Sequence, residues 1–158
     1  MNTSLVLETE GYVVIFRLEA TRKEYADSRS LVRLVLEFQT RSAISTINVS
    51  SIETYATEVE LRRLVEYLHA HILCLQHNPA AESETYISTE TGFQLQAGTG
   101  EVVNSEDGAF TLRVMLNIGQ LDRDSASTYV GGETLVTVRQ INAFSRALLV
   151  ALRRVFSE

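Results

Sequence analysis

Residues 68–77, LHAHILCLQH, hold all three histidines and the one cysteine of the chain. Imidazoles and a thiolate are the ligands of zinc and the parts of a Cys–His nucleophile. On a helix each residue turns by about 100° and rises by about 1.5 Å. His69 and His71 then point about 160° apart, and His71, Cys74 and His77 step round the surface by about 60° while climbing about 9 Å. Three ligands on such a spiral cannot meet one zinc at about 2.0–2.3 Å. His71 with Cys74 forms a two-ligand corner that would need carboxylates from elsewhere or a second chain. A mid-helix Cys74 has no converging backbone donors to hold an oxyanion. The segment is therefore expected to be ordinary helix, with His69 and His71 flanking a buried stripe and His77 at the C-terminal dipole. No metal, cofactor or catalytic residue is assigned.

Other constellations are weaker. Residues 98–101, GTGE, lack the Lys-Ser/Thr ending of a phosphate loop and are expected to be a turn. Residues 121–127, LDRDSAS, offer Asp122, Asp124 and Ser125 as oxygen ligands but lack the central Gly and terminal Glu of an EF-hand, so a solvated loop is expected. Glu53 and Glu133 each precede a threonine and, as paired carboxylates, suggest an alternative: a small-ligand protein or carboxylate-based enzyme with a cleft between two half-repeats. No Rossmann fingerprint or Ser-His-Asp order is present.

The elements that would position these residues follow from periodicity. Alternating apolar positions predict strands at 11–19, 31–39 and, more briefly, 43–49, with a polar loop at 21–30. Thr57 and Glu60 predict a capping box opening a helix whose stripe is Leu61, Leu64, Val65, Leu68, Ile72 and Leu75. Asn78-Pro79 ends it. Strands are expected near 84–89, 93–97, 101–104 and 109–118, the last with Phe110, Leu112, Val114, Leu116 and Ile118 on one face. A final strand at 129–138, bent at Gly131-Gly132, runs into a helix capped by Thr137 and Gln140, with Ile141, Phe144, Leu148, Leu149, Leu152 and Val155 on its stripe.

Many of these features recur at an offset of eighty: Arg33 and Arg113, Glu53 and Glu133, Thr57 and Thr137, and the two helical stripes. This suggests an internal β-β-α duplication, with half-repeats 1–79 and 80–158 in a single domain, 1–158. The expected fold class is α+β: a mainly antiparallel sheet of six to seven strands with two amphipathic helices packed on one face.

Composition narrows the function classes. Of 158 residues, 45% are hydrophobic and 22% charged, a globular balance that argues against disorder. Net charge is −6, and the basic residues are scattered, which disfavours a phosphate-backbone partner. No apolar run approaches a bilayer span, so no membrane partner is expected. The first residues lack the basic start and apolar run of a secretory signal, and one cysteine fits a reducing compartment, so a cytoplasmic protein is expected.

The segments YADSRSLVRLVLEF, TETGFQLQAGTGEVVNSEDGAFTLRVMLNI and GGETLVTVRQINAFSRALLVAL follow one another in the order strand, Thr-capped helix, strands, and strand running into helix. In this pattern the chain resembles the WapI-type immunity proteins of bacterial polymorphic and contact-dependent toxin systems. The resemblance covers most of the chain and rests chiefly on DGAFTLRVMLNI and the helix after it. It implies a non-catalytic cytosolic protein that neutralises a toxin. A basic toxin domain would be the partner, met by acidic loop residues Glu106, Asp107, Asp122 and Asp124.

Overall fold

The computed structural model describes residues 2–21 and 30–157. All but the two end residues of the expected 21–30 loop lie outside that range. The chain is α+β, with antiparallel strands and two helices. Among the described residues its strands form two sheets, one of five strands and one of four, rather than one sheet of six or seven.

The first sheet is built from β1 (Asn2–Glu8), β2 (Tyr12–Ala20), β3 (Leu31–Thr40), β4 (Asn48–Ser50) and β5 (Thr54–Thr57). β1, β2 and β3 pair in sequence order, and β4 and β5 both pair with β3. Alternation sets the faces: Tyr12, Val14, Phe16 and Leu18 are buried on β2, and Val32, Leu34, Leu36 and Phe38 on β3. β1 and β5 have no counterpart in the expected strand set. Of residues 43–49, only Asn48 and Val49 enter a strand.

The second sheet runs β6 (Tyr86–Ile87), β7 (Phe93–Val102), β8 (Gly108–Asn117) and β9 (Tyr129–Thr137) in sequence order. The expected strands at 93–97 and 101–104 are one strand. Gly98-Thr99-Gly100 is not a turn between them but a shift of register within β7, opposite β8. Conversely, β9 passes through Gly131 and Gly132 with unbroken pairing to β8, so the expected bend is absent. A Cβ at Gly132 would stand 3.1 Å from Phe38 Cζ, so glycine there lets the first sheet's aromatics approach. Ile118 falls outside β8 and is exposed.

Helix α1 (Glu58–His77) follows β5 directly, and α2 (Val138–Phe156) follows β9 directly. Thr57 Oγ1 accepts from the Glu60 amide at 3.2 Å, but the Glu60 carboxylate turns away to accept from the Thr89 amide at 2.6 Å. The expected box at α1 is therefore half made. At α2 both bonds form, 3.1 Å to Thr137 Oγ1 and 2.9 Å to Gln140 Oε1. Thr137→Ala is expected to cost about 1 kcal/mol in denaturant unfolding, the usual value of a lost N-cap.

The helices do not share one sheet face. α1 lies chiefly against β7 and α2 chiefly against β1, so each crosses to the sheet of the other half. Phe16 of β2 touches Phe93 of β7, ring centroids 5.7 Å apart, and Phe144 of α2 at 5.0 Å. The Tyr12 hydroxyl donates to the Leu112 carbonyl of β8 at 2.6 Å. Burial, reinforced by the charge of Glu133, drives the Tyr12 pKa upward, so the phenol stays a donor. One contiguous core draws on both sheets and both helices.

The element order of the two halves matches. Four strand positions precede each helix, so the unit is longer than the expected β-β-α. β9 stands where β4 and β5 stand, interrupted in the first half at residues 51–53. A Cβ at Gly11 would meet Thr134 Oγ1 at 2.9 Å, and one at Gly92 would meet Thr54 Cγ2 at 2.8 Å, the same approach made reciprocally between halves.

Candidate functional site

The histidine segment forms the C-terminal half of α1, and its side chains diverge. His69, Cys74 and His77 are exposed, on different sides of the helix. His71 does not flank the stripe; it is part of it, at 1% exposure. The spacing of 64, 68, 71 and 75 runs down one face, and that was the available signal. Nε2 of His71 lies 2.8 Å from the Gly98 carbonyl, and Nδ1 lies 2.7 Å from Ser83 Oγ. A carbonyl can only accept, so Nε2 carries the proton and Nδ1 of the neutral ring accepts from the serine. The irregular turn of β7 at Gly98 supplies that carbonyl. Desolvation lowers the His71 pKa, opposed by the Gly98 bond. The edge of the ring meets Phe110 at 5.0 Å between centroids. Among the described residues no three His, Cys, Asp or Glu side chains gather in a way that could hold a metal ion.

Glu53 and Glu133 occupy matching positions but face an arginine each. Arg33 pairs with Glu53 at 2.7 Å and with Glu19 at 2.5 Å. Arg113 pairs with Glu133 at 2.8 Å and reaches Gln96 Oε1 at 3.3 Å. The Arg33 pKa is raised, first by the bond to Glu53 and then by the charge of Glu19. Arg113 thus bridges β7, β8 and β9, and Arg33 bridges β2, β3 and the residue just before β5, each on the half-exposed face of its sheet. Neither glutamate lines either of the pockets described below.

The four acidic loop residues fall into two groups. Glu106 and Asp107 sit in the β7–β8 turn, and Asp122 and Asp124 in the β8–β9 loop. The ten residues of β8 separate them by about 30 Å at the usual strand rise. The first turn carries Val103 at 74% exposure and is tied to α2 by Asn142 Nδ2, which donates to the Ser105 carbonyl at 2.8 Å. The second carries Leu121 at 93% exposure beside the two aspartates. There Asp122 Oδ1 accepts from Ser125 Oγ at 2.8 Å and from the Asp124 amide at 3.0 Å. These bonds lower the Asp122 pKa, the Ser125 bond most, and fix the loop as an Asx turn.

Two concavities stand out among the described residues. A pocket of about 390 Å³ lies between the two helices, closed at one end by the β7–β8 turn. Its apolar wall is Ile72, Leu73 and Leu149; Arg146 and Glu106 stand in its lining with opposite charges. Ser145, also in the lining, is buried at 1% exposure, and its hydroxyl has no hydrogen-bond partner among the described residues. An unmet buried hydroxyl costs about 1–3 kcal/mol, so the fold carries a polar group at this pocket that it does not satisfy. A wider hollow of about 930 Å³ lies at the start of α1, among Tyr55, Glu58, Glu60, Arg63 and Glu90. Its carboxylates are partly engaged: Glu60 holds the Thr89 amide, Glu90 the Tyr55 amide at 2.7 Å, and Glu58 pairs with Arg62 at 2.7 Å. Sequence reasoning found Glu106 of the smaller pocket but not the pocket, because two helices from different halves build it.

No described helix is long and apolar enough to cross a membrane. Comparison with protein-family models, with curated proteins and with solved structures returns no match.

Proposed function

We propose that this chain is a non-catalytic protein-binding module of the cytoplasm, an immunity protein that neutralises a cognate basic toxin through its β8–β9 loop. One observation carries the reading: Leu121, at 93% exposure, stands beside Asp122 and Asp124 in a loop held by its own hydrogen bonds. An exposed leucine costs solvation in the free protein, and an apolar anchor ringed by charge is the pattern of an interface centre. The net charge of −6 favours encounter with a basic surface. Asp122 and Asp124, rather than Glu106 and Asp107, are then the contact carboxylates, since the two loops lie at opposite ends of β8. The matching order of the halves is read as duplication of one four-strand-and-helix unit.

The test is co-expression with the toxin domain encoded beside this gene. Growth is rescued by the natural chain. Leu121→Asp is expected to lower affinity by about 30-fold, the equivalent of about 2 kcal/mol for a central contact. Asp124→Arg, whose carboxylate takes no part in the bonds that hold the loop, slows association and flattens its salt dependence. Both variants keep the thermal midpoint, since these side chains are exposed. Absence of rescue by the natural chain, or full rescue by Leu121→Asp, overturns the proposal.

A further inference from the structure

We propose that the pocket between α1 and α2 binds a small zwitterion with an apolar side chain, the chemistry of a free hydrophobic amino acid. The proposal stands apart from the toxin-binding reading, because the pocket shares no residue with the β8–β9 loop.

The volume, about 390 Å³, falls at the small end of ligand sites, which are mainly apolar with a few placed polar groups. Ile72, Leu73 and Leu149 supply the apolar wall, and Leu73 remains 58% exposed with nothing over it among the described residues. Arg146 and Glu106 supply one charge of each sign. They line the same pocket, yet neither is in an ion pair among the described residues. Arg146 is steadied by its Nε, which donates to the Asn142 carbonyl one turn back at 3.2 Å. The Asn142 side chain holds the Ser105 carbonyl, and the Glu106 amide donates to Asn104 Oδ1 at 2.8 Å. One residue of α2 therefore anchors both the arginine and the turn that carries the glutamate. The turn that carries the glutamate and the helix that carries the arginine are thus tied together across the pocket.

Ser145 is the second, independent observation. Its hydroxyl is buried, belongs to the pocket lining and has no partner among the described residues. It lines the same pocket as Arg146, so it is the hydroxyl available to donate to a carboxylate paired with the guanidinium. The ammonium then faces Glu106, and the side chain lies on Ile72, Leu73 and Leu149. An internal peptide residue brings neither charge, and a chain terminus brings one. A free amino acid presents both next to a single apolar group and is small enough for the volume.

Isothermal titration of the full chain tests this with four probes: L-leucine, L-phenylalanine, N-acetyl-L-leucine without the ammonium, and L-leucinamide without the carboxylate. Saturable binding of leucine or phenylalanine is expected with Kd of about 1 mM or tighter, the range open to a ligand of this size. Each blocked probe binds at least tenfold more weakly. Arg146→Met and Glu106→Gln each weaken leucine by at least tenfold without moving the thermal midpoint, both side chains being exposed. Leu121→Asp leaves leucine binding unchanged, which separates this site from the toxin-facing loop. No saturation by about 10 mM for either amino acid overturns the proposal. So does equal binding of N-acetyl-leucine and leucine, which would make the pocket a plain monocarboxylate site.

Discussion

Phe16→Ala is expected to lower the unfolding free energy by about 3–5 kcal/mol, the range for deleting a buried phenylalanine. Phe16 is fully buried, and its ring partners come from the other two layers of the core: Phe93 from the second sheet and Phe144 from α2. The cavity left by alanine would be walled by three elements that cannot all collapse into it, because each is fixed by its own hydrogen bonds. Against a total stability of about 5–15 kcal/mol, such a loss is visible in urea as a large fall in midpoint. Phe16→Leu, which keeps most of the volume, is expected to cost about 1.5 kcal/mol or less. Because Phe16 joins both halves, calorimetry should show one transition in the natural chain and one, at lower temperature, in the variant. Loss below about 1 kcal/mol, or a transition that splits in two, would mean that the halves fold on separate cores.

The same interlocking explains what was legible in the sequence. Period is a local property, and it marked most of the buried faces of β2, β3, β8 and both helices, including Phe38, Leu116 and Val155, but it counted Ile118, which is exposed, and Leu149, which is only partly buried, and it left His71 off the stripe of α1. Partition into sheets is not local. Whether β6–β9 extend the first sheet or form a second depends on Phe16 meeting Phe93 and on Gly132 admitting Phe38, contacts between residues far apart in sequence. The same holds at smaller scale for β7. Gly98-Thr99-Gly100 has turn composition, and only the partner strand reveals that it interrupts register without reversing the chain. Residues 43–47 have β-branched composition but lie beyond the short pairing of β4 with β3, and a strand without a neighbour is not formed. β1 was missed because its outward residues include Val6, half exposed, which blurs the alternation carried by Leu5 and Leu7.

Of the candidate side chains, the sequence placed the charges but not their company. The offset of eighty brought Glu53 and Glu133 forward as a pair, and the fold makes them equivalent, each answering an arginine at the same offset. Equivalence by repetition is a different relation from convergence on a substrate. The pocket shows the reverse case: Glu106, Ser145 and Arg146 have no shared motif, and only the approach of α1 to α2 puts them in one lining.

His71 carries the second large effect. His71→Ala is expected to cost about 2–3 kcal/mol, since it opens space against Phe110 and removes the partner of the part-buried Gly98 carbonyl and Ser83 hydroxyl. His71→Gln keeps one donor and one acceptor on a shorter reach and should cost about half as much. The natural ring also gives stability a pH dependence of fixed sign. Burial holds its folded pKa below the ordinary value of about 6.5, so in the interval between the two the unfolded chain binds the extra proton. The contribution is therefore complete above about pH 6.5 and declines as pH falls through that interval toward the lowered folded pKa. Urea midpoints measured at about pH 7.5 and about pH 5 should drop for the natural chain, and His71→Gln should remove the part due to this ring while leaving the rest. Equal drops in both proteins would show that the ring takes up its proton as readily folded as unfolded. The preference of the buried site for the neutral ring would then be wrong.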